Sequence, residues 1–127
     1  KVSDPLAVAK ANAADILVLK AQPLGGVTNA LRIAKEAGLP VVVSSALETS
    51  VGLSMGAYLA QALDSEYASG LATAALLAAD VTDTPLIPVD GKIRVTRIRP
   101  NNSDLSNYAA ISERKFFKLS RLVTSIS

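Results

Sequence analysis

The chain has 127 residues, half of them hydrophobic and 19% charged, a balance that excludes a disordered tail and fits one domain or part of one. It contains no cysteine and no histidine, which removes disulfides, thiolate metal sites and the commonest acid–base side chain, and with aromatics at 4% the core must be built from Ala, Val, Leu and Ile. The net charge of +2 is unevenly spread: residues 1–91 hold five Lys/Arg against nine Asp/Glu, and residues 92–127 hold eight against two.

The basic C-terminal stretch is read as facing an acidic surface of its own protein. Nucleic acid is not expected as a partner, because no aromatic-rich or helix-turn-helix module accompanies the charges. No apolar run approaches the roughly 20 residues of a membrane span, and "KVSDPLAV" has no apolar signal-peptide core. A cytoplasmic protein without a membrane partner is therefore expected. The chain is also expected to be a piece of something larger, since it does not open on methionine.

In chain order, "SDPLAVAKANAA" predicts a helix, with Asp4 as its cap and Pro5 at its first position. "ILVLK" (16–20) is a short, continuous apolar run of the kind that forms a strand buried on both faces of a parallel sheet. After the loop "AQPLGG", the stretch "VTNALRIAKEAG" predicts a helix with Leu31, Ala34 and Ala37 inward. Gly38 stops it and Pro40 prevents continuation. "PVVVSS" (40–45) predicts a second strand, and "SVGLSMGAYLAQALDS" a helix with Val51, Met55, Tyr58, Leu59 and Ala62 inward. "YASGLAT" (67–73) predicts a third strand, and "AALLAADV" a short helix or irregular turn.

The strand ends fall at Lys20, Ser44 and Gly70, 24 and 26 residues apart. A leucine-rich solenoid has similar periods, but its LxxLxL asparagine ladder is missing. Repeated strand–helix units point instead to an α/β fold with a parallel sheet or a (β/α) barrel. Beyond residue 83 the pattern changes. Asp90-Gly91 predicts a hairpin between Val89 and "KIRVTRI". The chain then ends in an expected amphipathic helix with Phe116, Leu119 and Val123 inward. Residues 1–83 are thus read as one part, with strands near 16–20, 40–45 and 67–73, and residues 84–127 as another.

Lys20 ends an apolar strand and precedes a Gly25-Gly26 turn. It is either a solvated strand end or a cation aimed into a reaction site. Ser44 by itself reads as a strand-end serine capping its loop, and Gly70 as a packing glycine. Glu48 is either a metal ligand or a carboxylate that organises its loop.

"DILVLKAQPLGGVTNALRIAKEAGLPVVVSSALETSVGLSMGAYLAQAL", followed by "SGLATAALLAADV", "PVDGKIRV" and the terminal "RKFFKLSRL", resembles the C-terminal third of the o-succinylbenzoate synthases, a family of the enolase superfamily acting in menaquinone biosynthesis. The motifs VLKxxPLGG, VVSSxxETSxG and SGLxT occur in order, one per strand end. The resemblance implies the sixth to eighth strands of a modified (β/α)₇β barrel, then a C-terminal hairpin and helix returning to an N-terminal capping domain.

It further implies a Mg²⁺-dependent lyase that dehydrates a succinyl-bearing cyclohexadiene carboxylate to 2-succinylbenzoate. Lys20 matches the second catalytic lysine, a cation stabilising the enediolate. Ser44 matches a position that contacts the succinyl group and Gly70 one whose backbone lies close to the substrate carboxylate, while the family's metal ligands lie on strands three to five, which leaves Glu48 as a carboxylate that organises its loop. The first lysine of the family's KxK motif and its three metal-binding carboxylates have no counterpart here. The expected partners are therefore the missing N-terminal half of the same enzyme and a small-molecule substrate, with no metal ligand in this chain and no activity from it alone. Two alternatives are an N-succinylamino acid racemase or cycloisomerase of the same superfamily, and an inactive truncated half-barrel.

Overall fold

The computed structural model describes residues 4–101. Helix α1 (Pro5–Lys10) starts as its sequence predicts: Asp4 Oδ1 accepts the Leu6 N–H at 2.9 Å, satisfying one of the first-turn donors that a helix cannot pair internally. Strand β1 (Leu17–Lys20) leads through the Gly25-Gly26 turn to α2 (Val27–Ala37). Both glycines have left-handed φ, +85° and +114°, which a side chain would strain. Helix α2 ends at Gly38, φ +63°, whose N–H returns to the Ala34 carbonyl. Strand β2 (Val41–Ser44) and helix α3 (Ser50–Leu63) complete the second unit.

The strands β1 and β2 are parallel, with Leu17 opposite Val41 and Lys20 opposite Ser44. The expected third strand over 67–73 is corrected to a single parallel bridge. Gly70 N–H donates to the Val43 carbonyl at 2.8 Å, Ser45 N–H donates to the Gly70 carbonyl at 3.1 Å, and the chain then turns into a 3₁₀ turn at Thr73–Leu76. Ala68, Ser69 and Gly70 offer no branched side chain to hold a longer ladder.

Both helices cover the same face of the sheet. Leu17, Leu19, Val41 and Val43 are buried toward them, while Val18, 62% exposed, points the other way with Lys20 and Ser44. The expectation that β1 is buried on both faces is thus corrected: among the described residues its second face is open. That face carries every other residue of each strand, as the pleat requires.

The buried faces of the helices also differ from those expected. On α2 the inward residues are Ala30, Ile33 and Ala34, whereas Leu31 and Ala37 lie on its flanks. The flanks have their own neighbours, since Leu31 lines a groove shared with Leu63 at the end of α3 and Ala37 one shared with Leu6 of α1. On α3 the inward set is Ser50, Leu53, Ser54, Gly56, Ala57 and Leu59. Of the expected set only Leu59 is fully buried; Met55 and Tyr58 are exposed. Helix α3 is apolar nearly all round, so hydrophobic spacing does not select a face. Close approach does: a Cβ on Gly56 would meet Leu71 Cδ2 at 2.8 Å.

The start of α3 is fixed from a distance. Thr49, at its cap position, makes no side-chain capping bond. Asp80 takes that role, accepting the Ser50 N–H at 3.0 Å and the Ser50 hydroxyl at 2.5 Å, while Ser50 Oγ accepts the Leu86 N–H at 2.7 Å. Leu86 and Ile98 enter the core, so residues 80–101 pack back on the same unit. The Asp90-Gly91 turn forms, with φ values of +49° and +72° and both bonds between Val89 and Lys92 at 2.9 Å. The expected ribbon is corrected to that one bridge. Pro85 and Pro88 lack the N–H groups that would extend the ladder on one arm. The expected helix with Phe116, Leu119 and Val123 lies outside the described residues.

Candidate active site

Lys20, Ser44 and Gly70 end three neighbouring segments and lie side by side across the sheet, Lys20 opposite Ser44 and Ser44 bridged to Gly70. The Lys20 ammonium donates to the Ser45 carbonyl. Ser44 is half-buried and belongs to the open-face set of its strand. Gly70 lies close enough that a Cβ there would meet Ser44 Oγ at 3.2 Å. A side chain at position 70 would displace the serine hydroxyl or occupy the space in front of it. The three positions singled out in the sequence are thus adjacent, two at the C-terminal ends of the parallel strands and the third in the bridge beside them, at the edge where α/β barrels assemble their chemistry.

The loop after β2 is fixed from several sides. Ser45 Oγ donates to the Gly70 carbonyl at 3.2 Å, and Thr73 Oγ1 donates to the Ala46 carbonyl at 2.9 Å. Glu48 Oε1 accepts the Ala46 N–H at 3.0 Å, so Glu48 does organise its loop. Its other oxygen, Oε2, is buried and has no hydrogen-bond partner among the described residues. Gly52 leaves room for it, since a Cβ there would meet Oε2 at 2.7 Å. Gln22 bonds the Gly52 carbonyl through its side-chain amide at 2.7 Å, tying the loop after β1 to α3.

Gln22, Thr73 and the second oxygen of Glu48 were not legible beforehand. Gln22 lies two residues beyond Lys20, so continuing the strand alternation past the strand end was the available signal. For Glu48 the signal was the glycine four residues later.

Burial pushes the Glu48 carboxyl above its ordinary range, and the Ala46 N–H and the Lys20 charge pull it back only in part. With a folded value above the unfolded one, stability is fully present below the unfolded value of about 4.5 and is lost as pH rises through the folded one. Glu48→Gln removes that loss and keeps an acceptor for Ala46. Its stability advantage over the parent is expected to be larger at pH 7 than at pH 4, read from denaturant midpoints. An advantage independent of pH, or larger in acid, contradicts the burial of the charge.

No three His, Cys, Asp or Glu side chains among the described residues converge as a metal site. These residues do not fit a Mg²⁺ ion by themselves. The larger hollows also lie elsewhere. One of about 580 Å³ is lined by Leu39, Pro40, Leu63 and Tyr67 near the start of β2, and one of about 550 Å³ lies between α3 and Ile93 and Val95. The candidate site is accordingly an open face, not a closed pocket.

Residues 2–100 match the family described as Enolase C-terminal domain-like, and the chain belongs to that family. Its fold is the α/β, C-terminal part of an enolase-type barrel. It overlays a mandelate racemase/muconate lactonizing enzyme from Roseiflexus sp. with a TM-score of 0.65 at 22% identity, covering 79% of this chain and 30% of that one. It overlays the muconate lactonizing enzyme from Pseudomonas putida with a TM-score of 0.64 at 24% identity, covering 84% and 31%.

Among curated relatives, the chain is similar to the o-succinylbenzoate synthase of Thermobifida fusca, 62% identical over 99 residues, which are 77% of this chain and 31% of that protein. It is also similar to the o-succinylbenzoate synthase of Mycobacterium leprae, 42% identical over 128 residues, covering 100% of this chain and 38% of that protein. The chain spans about a third of the length of these relatives.

Proposed function

We propose that this chain is the C-terminal part of an o-succinylbenzoate synthase, a lyase that dehydrates a succinyl-bearing cyclohexadiene carboxylate to 2-succinylbenzoate in menaquinone biosynthesis. The observation that carries the reading is the adjacency of Lys20, Ser44 and Gly70 on one open face at the strand ends.

The elimination removes the proton α to the carboxylate and expels the neighbouring hydroxyl as water, leaving an aromatic ring. Negative charge builds on the carboxylate as the proton leaves. In this reading the Lys20 ammonium, oriented by the Ser45 carbonyl, stabilises that charge; its place at the strand ends supports the role. Ser44 supplies a hydroxyl to the substrate, and Gly70 keeps the approach clear. The described residues offer no ligand set for Mg²⁺, so a Mg²⁺ dependence rests on carboxylates outside them.

A steady-state assay tests the reading. This chain, joined to the further two-thirds of its relatives' length, is expected to form 2-succinylbenzoate. Racemisation of N-succinylamino acids without dehydration rejects the assignment.

The same reading makes the remaining part of the barrel the partner of this one. Among the described residues β1 pairs only with β2, and the open face exposes Val18 and Ile16. Unpaired strand edges beside apolar side chains promote association. The 127 residues alone are expected to be inactive and to self-associate in ultracentrifugation, and to become a 1:1 complex with the rest of the barrel. A monodisperse monomer that melts cooperatively refutes this.

A further inference from the structure

The peptide unit between Ser45 and Ala46 links two charged side chains. Its carbonyl accepts from the Lys20 ammonium, and its N–H donates to Glu48 Oε1 at 3.0 Å. The unit is flanked on one side by Ser45 Oγ on the Gly70 carbonyl and on the other by Thr73 Oγ1 on the Ala46 carbonyl. Chains of hydrogen bonds polarise one another, so a carboxylate on the N–H makes the opposite carbonyl a better acceptor for an ammonium. It also fixes the tilt of the peptide plane, and with it the direction of the carbonyl.

Glu48 does this from a confined place. Among the described residues its second oxygen is buried without a hydrogen-bond partner, against Gly52, where any side chain would push the carboxylate out. A carboxylate held this way is a poor contribution to stability. Features that break the rules of packing without return elsewhere mark positions kept for function.

We propose that Glu48 is a positioning residue for Lys20, acting through the Ser45–Ala46 peptide, so that the ammonium is aimed across the strand ends before substrate arrives. The proposal rests on the catalytic reading of Lys20 given above. Among the described residues no hydrogen bond joins Glu48 to Lys20; the two meet directly only as charges through space, and the hydrogen-bonded link between them is the peptide. Its effect is on where the lysine points.

Two readouts separate this from a structural role and from failure of the functional reading. The first is reductive methylation of lysines in the chain joined to the rest of its barrel, followed peptide by peptide in a mass spectrometer, with exposed Lys35 as internal standard. Glu48→Ala is expected to raise the Lys20 rate severalfold relative to Lys35. Glu48→Gln, which keeps an acceptor for the Ala46 N–H, is expected to stay near the parent.

The second is steady-state kinetics in the enzyme joined to the rest of its barrel. Glu48→Ala is expected to lower kcat by roughly 10- to 100-fold with little change in KM, and Glu48→Gln to recover most of the loss. Unchanged Lys20 labelling in Glu48→Ala overturns the proposal, as does equal labelling of the Ala and Gln variants. If the parent enzyme forms no 2-succinylbenzoate, the functional reading fails, and the labelling alone decides whether Glu48 positions Lys20.

Discussion

Lys20→Ala, in the chain joined to the rest of its barrel, is expected to lower the rate of dehydration by roughly 10²- to 10³-fold. The loss is that of a preorganised charge placed where negative charge develops, and it should appear in kcat. Folding should hardly change. Lys20 is half-buried at the edge of the open face, and its one hydrogen bond among the described residues is to the Ser45 carbonyl. Stability should fall by about 1 kcal/mol or less. Initial rates and thermal melts on one preparation check both statements. Turnover close to the parent's removes Lys20 from the chemistry, and a collapsed melt assigns it to the fold.

Asp80→Ala is expected to cost about 2–4 kcal/mol of stability, combining a lost helix cap with the stranded partners of a buried serine. Asp80 accepts from Ser50 at both its N–H and its hydroxyl, and from the Val81 N–H at 2.7 Å. Ser50 is fully buried and passes the connection on to the Leu86 N–H. Removing the carboxylate therefore leaves a serine hydroxyl without its acceptor and the first turn of α3 without its cap. Denaturant unfolding measures the loss. Hydrogen exchange locates it, with amides of the first turn of α3 and of residues 80–86 losing protection before those of β1. Uniform loss of protection, or none, contradicts this account. Asp80→Asn, which keeps one acceptor oxygen, should fall between the two.

Local signals were the legible ones. Asp4 before Pro5, Gly38 before Pro40 and Asp90-Gly91 each dictate backbone geometry within a few residues, and each stands where it was expected. The adjacency of Lys20, Ser44 and Gly70 was also legible, because parallel units of similar length bring equivalent strand ends together.

Longer-range choices were hidden. Asp80 is 30 residues from the helix it caps, and no pattern around Thr49 or Ser50 points to it. The inward face of α3 was unreadable because Met55 and Tyr58 fit a buried helix stripe as readily as Leu53 does. What turns Leu53 inward is Gly56 against Leu71 and Ser50 on Asp80, contacts that exist only after folding. Continuous apolar sequence over 16–20 suggested burial on both faces, yet the helices supply cover on one side only; the other face depends on what else is present. The unpartnered oxygen of Glu48 had no trace in composition at all.

The pairing of Leu17 with Val41 through Lys20 with Ser44 bears on how a chain like this can vary. Alternate residues face the helices and the open side. A single-residue insertion or deletion within Leu17–Lys20 would therefore exchange the two sets, sending an ammonium among the helices and a leucine to the open face. Gains and losses of length should be confined to the segments between elements, and even there the 45–49 segment is constrained by its bonds to Lys20, Gly70 and Thr73. The connection over residues 11–16, ahead of β1, is free of those ties. Length polymorphism among homologues should collect there, with the strand ends keeping their count.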